Sequence, residues 1–350
     1  MLIALVTVVA ASYVIAKACD SFEGAADYLG RNMPPGTKGT TINAIGSSLP
    51  ELLTTLAFMF FIGKEGALAA GIATTAGSAV FNSVVIPALC IWVMGRNIQI
   101  ILDKRVIWRD GIFLIAAELL LIFLLGLNPL TTIAGLALIV FYACYIWYVL
   151  SHKGSAEENS DEDDDEEENG FFGKLIKFDF NGLLFNNANF TNKSAWTVLG
   201  FSVIVIAIAC HFLADSTSNI SEALGIPLYL SAMIIAAAAT SVPDTILSVK
   251  DAKKGNVEDA LSNALGSNIF DITVALGLPL LLYTLIHGAT EVTNNMDMQV
   301  LRAALVGITA IVIGIFVKSM YITRKTAYVL FGLYGAWVTY LIYSVVSKVN

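Results

Sequence analysis

Glu51 and Asp244 are carboxylates in stretches where the surrounding residues should tolerate none. Glu51 closes the run Ala44-Ile45-Gly46-Ser47-Ser48-Leu49-Pro50-Glu51, inside an apolar segment from about residue 39 to residue 62. Asp244 closes a second such run, Ala237-Ala238-Ala239-Thr240-Ser241-Val242-Pro243-Asp244. A segment of this length is long enough to cross a bilayer. Lipid neither satisfies a backbone freed by proline nor solvates a carboxylate, and a charge at the centre of a membrane helix costs about 2.5–3.5 kcal/mol on insertion scales. A broken, acid-bearing membrane helix that occurs twice marks the place where a polytopic membrane protein builds a binding site.

The groups that accompany the two acids are all oxygen donors. Each Ser-x-Pro-acid signature is followed by a Gly-Ser stretch, Gly77-Ser78-Ala79-Val80-Phe81-Asn82 in one case and Gly266-Ser267-Asn268-Ile269-Phe270-Asp271 in the other. Ser78 and Asn82 are four apart, as are Ser267 and Asp271, so each pair shares one helix face. The expected constellation is Glu51, Asp244 and Asp271 as carboxylates, Asn82 as an amide, and Ser47, Ser48, Ser78, Thr240, Ser241 and Ser267 as hydroxyls. Carbonyls freed at the helix breaks add to it. Hard cations take such ligands, Ca²⁺ accepting six to eight at flexible geometry. Soft or borderline metals call for His and Cys. Three carboxylates within a membrane should hold cations or protons in turn, which points to a carrier that exchanges cations. Competing readings make Asp271 a protonated group behind the ligands, and Ser47, Ser48 and Ser241 partners for freed backbone groups.

Composition sets the frame that must position these residues. The chain of 350 residues is 57% hydrophobic and 14% charged, with a mean hydropathy of +0.74. A soluble globular chain carries about 25% charged residues, so this is a polytopic membrane protein. The net charge of -8 comes mostly from one acidic tract between Glu157 and Glu168, and no basic tract suggests nucleic acid. Ten membrane segments are expected, at about 1–19, 39–62, 66–94, 110–127, 129–150, 195–214, 226–249, 257–283, 299–317 and 325–346. Placing both termini outside puts nearly all loop Lys and Arg inside, as the positive-inside rule requires. The linker of about 151–194 is then cytosolic. Its acidic stretch, 155–170, reads as disordered, with a regulatory cation-binding tract as the sharper alternative. The piece Phe171–Phe178 reads as a short interfacial helix or an ordinary connector.

The halves 1–150 and 195–350 repeat one another. Asp20 precedes Gly30 by ten residues and Asp215 precedes Gly225 by ten. Five segments per half means that the second half enters from the opposite side, so the repeats are inverted. The fold class expected is therefore all-α, with ten transmembrane helices in two inverted five-helix repeats. Helices 2, 3, 7 and 8 would be broken around an ion site at the midplane.

At these residues the chain resembles the calcium/cation antiporter superfamily, over both halves. Gly77-Ser78-Ala79-Val80-Phe81-Asn82, Gly266-Ser267-Asn268-Ile269-Phe270-Asp271 and Ser241-Val242-Pro243-Asp244 are most similar to sodium/calcium exchangers of the potassium-dependent type. The resemblance implies alternating access, with the first and sixth helices sliding against a core that holds the ions. It implies Ca²⁺ between Glu51 and Asp244, flanked by backbone oxygens near Ala44 and Ala237 and by Ser47, Ser48, Thr240 and Ser241. Ser78, Asn82, Ser267 and Asp271 would complete the sodium sites, with Asp271 tied to potassium. The resemblance implies Ca²⁺ and Na⁺ as transported ions, leaves K⁺ co-transport open because some potassium-independent relatives also carry Asp at the position of Asp271, and implies no cofactor. Ser47 stands where many members have Thr, Ala73-Thr74 replaces the usual Gly-Asn, and Ala79 replaces an Asn seen in prokaryotic members. The first half thus offers fewer amides than the second. The expected setting is a cell's plasma membrane.

Two other functions compete: a Ca²⁺/H⁺ antiporter, whose signature is a Gly-Asn-x-x-Glu type, and a cation channel. Nothing suggests an enzyme, since no nucleophile–base pair or metal triad is visible. His152, His211 and His287 are scattered. Cys19, Cys90, Cys144 and Cys210 form no CxxC pair and read as small buried thiols. Glu118, midway along the fourth segment, reads as a structural acid outside the site.

Overall fold

Runs of Ala, Leu, Ile and Val, interrupted mainly by Gly and Pro, can satisfy their backbone in lipid only as helices, and the computed structural model follows that rule. It describes residues 1–31, 44–95, 104–127, 129–151, 178–185, 190–291, 296–318 and 322–349. The helices are α1 (Leu2–Leu29), α2 (Ala44–Ser47), α3 (Leu49–Phe61), α4 (Ala67–Val93), α5 (Lys104–Gly126), α6 (Thr132–Ser151), α7 (Phe180–Phe185) and α8 (Asn192–Leu224). They continue with α9 (Leu228–Thr240), then α10 (Val242–Lys254), α11 (Val257–Phe270), α12 (Leu276–His287), α13 (Met296–Lys318) and α14 (Arg324–Val349). Among the described residues the β-type pairing is one isolated bridge, Leu130 to Thr290.

Among the described residues, six helical stretches are long and apolar enough to cross a membrane: α1, α4, α6, α8, the Ala260–His287 stretch of α11 and α12, and the Arg324–Tyr343 stretch of α14. The pair α9–α10, bent by 42°, makes a seventh if counted as one span. The apolar runs Ile45–Phe61 and Ala304–Lys318 are shorter, and α5 carries Arg109, Asp110 and Glu118. Polarity is inverted relative to a soluble protein. Ile3 is 83% exposed and Trp147 71%, while Glu51, Asn82, Asp244 and Asp271 are fully buried. Large apolar side chains on the outside and carboxylates within are the pattern of a bundle solvated by lipid.

Helix α1 packs lengthwise on α8, through Ile15, Ala18 and Cys19 against Ile206, Cys210 and Leu213. The remaining helices form a core. Hairpins α3–α4 and α10–α11 pack internally, α14 lies on α4, α6 on α12 and α5 on α13. Helix α4 crosses α9 so closely that a Cβ on Gly77 would sit 2.1 Å from the Met233 carbonyl oxygen and 2.8 Å from Ala237 Cβ. Small residues at such crossings let two backbones approach.

Several expectations need correction. The third segment is not broken: α4 is a continuous helix from Ala67 to Val93, and Gly77 serves the close crossing with α9 instead of a break. The eighth segment is interrupted by a π-helical turn, Asp271–Ala275, and a second π-helical turn, Ala232–Ala236, lies within α9. Segments one and six run well past residues 19 and 214, α1 having 28 residues and α8 having 33. At about 1.5 Å per residue they exceed a hydrocarbon core of about 30 Å. Past Asp20 the end of α1 reaches the start of α8, Arg31 donating to Asn192, and at Ala214 α8 packs with Phe58 of α3 and Ala232 of α9, so both polar ends stay helical in contact with protein. Cys19, Cys90 and Cys210 are buried as expected, but Cys144 is exposed on the outer surface of α6. The acidic tract 155–170 and most of Phe171–Phe178 lie outside the described residues.

The glycines of the two Gly-Ser stretches differ in their surroundings. A Cβ on Gly266 would meet only the Tyr145 hydroxyl, at 3.8 Å. Gly77→Ala should therefore force α4 and α9 apart, destabilising by about 1–3 kcal/mol as overpacking does, and lower Tm by several degrees. Gly266→Ala should leave Tm within about two degrees of the parent, or raise it slightly. Thermal denaturation of the two purified variants measures the difference.

Candidate functional site

Two helix breaks carry the acids to one place. Between α2 and α3 the chain turns at Ser48, with φ -93 and ψ 3. Between α9 and α10 it turns at Ser241, with φ -78 and ψ 3. The prolines cause both. Pro50 and Pro243 lack an N–H and sit in the first turn of the following helix, where none is needed. One residue on, Glu51 and Asp244 occupy the first turn of α3 and α10, where the N-terminal dipole favours negative charge.

Asp271 joins them from the C-terminal end of α11. One ligand oxygen from each of Glu51, Asp244 and Asp271 lies within 4.8 Å of the others. Ser78 and Asn82 of α4 sit in the middle. The Ser78 hydroxyl reaches Asp271 Oδ2 at 2.9 Å, Glu51 Oε1 at 3.2 Å and Ser241 Oγ at 2.9 Å. The Asn82 amide donates to Asp244 Oδ2 at 3.0 Å, Ser267 Oγ at 3.2 Å and Asp271 Oδ2 at 3.4 Å. Ser267 donates to Asp244 Oδ2 at 2.6 Å and accepts from Ser48 at 3.1 Å. Ser241 donates to Glu51 Oε1 at 3.4 Å. Ser47 faces Asp244, and Thr240 faces Glu51.

Ten of the twelve residues expected from the sequence thus meet in one buried pocket. The other two are the backbone positions. Ala44 opens α2. The Ala237 carbonyl accepts from both the Ser241 N–H and the Thr240 hydroxyl, each at 3.1 Å.

Orphaned oxygens test whether these groups fit a cation. Glu51 Oε2, Asp244 Oδ1, Asp271 Oδ1 and Asn82 Oδ1 are buried without a hydrogen-bond partner. Buried polar atoms are almost always paired, and four acceptors left over in one pocket make an oxygen-only donor set for a hard cation. Among the described residues no Lys or Arg side chain forms an ion pair with any of the three acids.

Some residues escaped the sequence reading. Asn268, next to Ser267, donates to the Ala79 carbonyl at 3.0 Å and to Ser83 at 2.7 Å, tying α11 to α4. Asp110 is fully buried behind α11, where it accepts from Arg109, from Ser262 at 3.0 Å and from Tyr145 at 3.3 Å. Its only sequence signal is a charge at the head of an apolar segment. Glu118 stands apart from the pocket. It accepts a 2.6 Å hydrogen bond from Thr309 of α13, and its second oxygen has no partner.

Comparison with known proteins gives a family and a fold. A family model described as sodium/calcium exchanger protein matches residues 3–151 and 194–343. Rat sodium/potassium/calcium exchanger 2 (Rattus norvegicus) is 36% identical over 138 residues, which are 39% of this chain and 21% of that protein. Bovine sodium/potassium/calcium exchanger 1 (Bos taurus) is 41% identical over 101 residues, 29% of this chain and 8% of that one. The matched stretches thus span about a fifth or less of these relatives. Among solved structures, the H⁺/Ca²⁺ exchanger CAX superposes with a TM-score of 0.70 at 16% identity, covering 94% of this chain and 80% of that one. The sodium-calcium exchanger NCX_Mj gives 0.58 at 22%, covering 97% and 99%. At such identities the likeness is one of fold.

Two measurements follow from the pocket. Saturating Ca²⁺ should raise Tm by several degrees, since ligand at a hundredfold its Kd stabilises by about 2.7 kcal/mol. Glu51→Gln or Asp244→Asn should abolish that shift in a thermal assay. Glu118→Gln keeps an acceptor for Thr309, so it should keep both the parent Tm and the full Ca²⁺ shift. Loss of the shift there would place Glu118 in the ion pathway.

Proposed function

The chain belongs to the sodium/calcium exchanger protein family, and from that premise we propose that it is a secondary active antiporter exchanging Na⁺ for Ca²⁺ by alternating access, with K⁺ carried alongside Ca²⁺. The observation that carries this reading is the pocket itself, three buried carboxylates with partnerless oxygens and no cationic side chain paired to them among the described residues.

Exchange follows from that charge. An empty pocket with ionised acids is expensive in a medium of low dielectric, so the site should reorient only when cations compensate it. Ca²⁺ is best served by Glu51 and Asp244, each at the head of a half-helix, with Ser47, Ser48, Thr240 and Ser241 beside them. Na⁺ ions would replace it on the same oxygens together with Ser78, Asn82 and Ser267. Asp271, the acid matching Asn82 in the other half, supplies a further negative charge for a monovalent ion. That extra charge favours K⁺ co-transport.

The proposed architecture is ten crossings in two inverted halves, 1–150 and 195–350, joined by a cytosolic linker over 151–194, with both termini outside a plasma membrane. Paired contacts support it. Helix α3 lies on α4 as α10 does on α11, α14 on α4 as α6 on α12, and α3 on α8 as α10 on α1. The near-identical backbone angles at Ser48 and Ser241 support it too, as does a family match that falls into the same two halves.

In sealed proteoliposomes an imposed Na⁺ gradient should drive radioactive Ca²⁺ uptake. Glu51→Gln and Asp244→Asn should each reduce it to background. Omitting K⁺ should slow the parent but not Asp271→Asn. Uptake driven by a proton gradient and indifferent to Na⁺ would replace this reading with Ca²⁺/H⁺ antiport, and unitary currents would replace it with a channel.

A further inference from the structure

On the side of the pocket towards which α3 runs, four helices close together. Phe58, two turns beyond Glu51 and on the same helix face, is fully buried. It packs in a cluster with Ala70 of α4, Ala214 of α8, and Ala232 and Ala236 of α9. Four alanines around one phenylalanine make a socket of small side chains with a single bulky occupant. Ile62 and Leu228 cover it on the far side, and a Lys64–Glu222 ion pair of 2.8 Å bridges the ends of α3 and α8 beyond them.

The same seam holds hydroxyls that its apolar packing does not explain. Thr55 lies one turn beyond Glu51 and faces α4, its Cγ2 standing 3.3 Å from the place of a Cβ on Gly71. Ser231 adjoins Ala232 in α9. Thr217 is three residues beyond Ala214 in α8. All three are buried, and none has a hydrogen-bond partner. Their neighbour Thr74 shows the usual remedy, donating to the Ala70 carbonyl one turn back. A buried hydroxyl without a partner costs free energy that alanine or valine would avoid.

We infer that this seam is a closed passage for the transported cation, lined by Thr55, Ser231 and Thr217, and that Phe58 is its gate. The inference rests on the antiporter reading above. When α8 shifts away from α3, the Phe58 ring loses the wall that Ala214 provides, and the three hydroxyls meet water and a partly dehydrated cation. Their missing partners are then supplied in the open state. The other half differs in kind. Phe58 is eight residues beyond Pro50, and the residue eight beyond Pro243 is Asp251, so the aromatic gate belongs to one side of the protein.

Thiol labelling tests this without needing turnover. Thr55→Cys is introduced and treated with a membrane-impermeant cationic methanethiosulfonate, in sealed membrane vesicles of either orientation. Modification is read by mass spectrometry on the peptide containing position 55, so the native cysteines do not interfere. With Phe58 in place, labelling should be slow. Phe58→Ala should speed it at least tenfold, from the side on which α3 ends only, while Phe58→Leu, which keeps apolar bulk, should not. An unchanged rate in Phe58→Ala, or equal labelling from both sides, overturns the gate. If Phe58→Ala does not fold, Thr217→Val decides: it should hold or raise Tm while slowing Ca²⁺ flux several-fold, and flux equal to the parent's overturns the passage. Labelling as expected in a protein without Na⁺-driven flux would count against Na⁺/Ca²⁺ exchange alone.

Discussion

Three carboxylates confined to one buried pocket, with no cationic side chain paired to them among the described residues, are the constraint from which the remaining architecture follows. Coulombic repulsion between like charges a few ångströms apart in a medium of low dielectric is large. The protein meets it with dipoles. Two half-helix N-termini aim at Glu51 and Asp244, and the Ser78 hydroxyl and the Asn82 amide bridge the acids. Such neutral groups moderate the repulsion without neutralising it, which is what a pocket for exchangeable cations requires. A fixed Lys or Arg would stabilise the empty state and remove the need for an ion.

The two halves answer this constraint unequally. Asn82 and Asp271 correspond, yet one sits in an unbroken α-helix and the other opens a π-helical turn. Around Gly77 there is no room for a methyl group, whereas around Gly266 there is. Helix α4 is thus held rigidly against α9, while α11 is tied back through Asn268 to α4 and through Ser262 to Asp110. Rigid placement of Ser78 and Asn82 matters because they contact all three acids.

Much of this was legible in the sequence, for physical reasons that can be named. Proline followed by an acid inside an apolar run has few uses other than a break that presents the acid, so Glu51 and Asp244 could be placed together before any coordinates. The i, i+4 spacing did the same for Ser78 with Asn82 and for Ser267 with Asp271. What failed were residues with more than one physical meaning. Gly77 fits a helix break as well as a close crossing, and only the position of the Met233 carbonyl distinguishes them. The ends of α1 and α8 fall outside a hydropathy reading because packing on neighbouring elements sustains their length after apolarity stops. Asn268 acts through partners more than a hundred residues away in the chain, and Asp110 is joined by Ser262 at a similar distance in sequence. Cys144 reads as a core thiol in the sequence because a span's lipid face and its protein face are both apolar, and composition does not separate them.

The least expected asymmetry lies beyond the breaks. Counted from the prolines, Thr55-Leu56-Ala57-Phe58 corresponds to Ser248-Val249-Lys250-Asp251. Helix α3 leaves the pocket through buried aromatic and methyl groups. Helix α10 leaves it through charges, with Lys250 more than half exposed and 3.8 Å from Asp20. Beyond the pocket the α3 side is thus packed with apolar groups, while the α10 side carries exposed charge and an ion pair. An exposed ion pair of that kind weakens with ionic strength. Two halves can contribute to one pocket and still differ beyond it, because the residues that line the pocket and the residues past it lie on successive turns of the same helices and can vary independently.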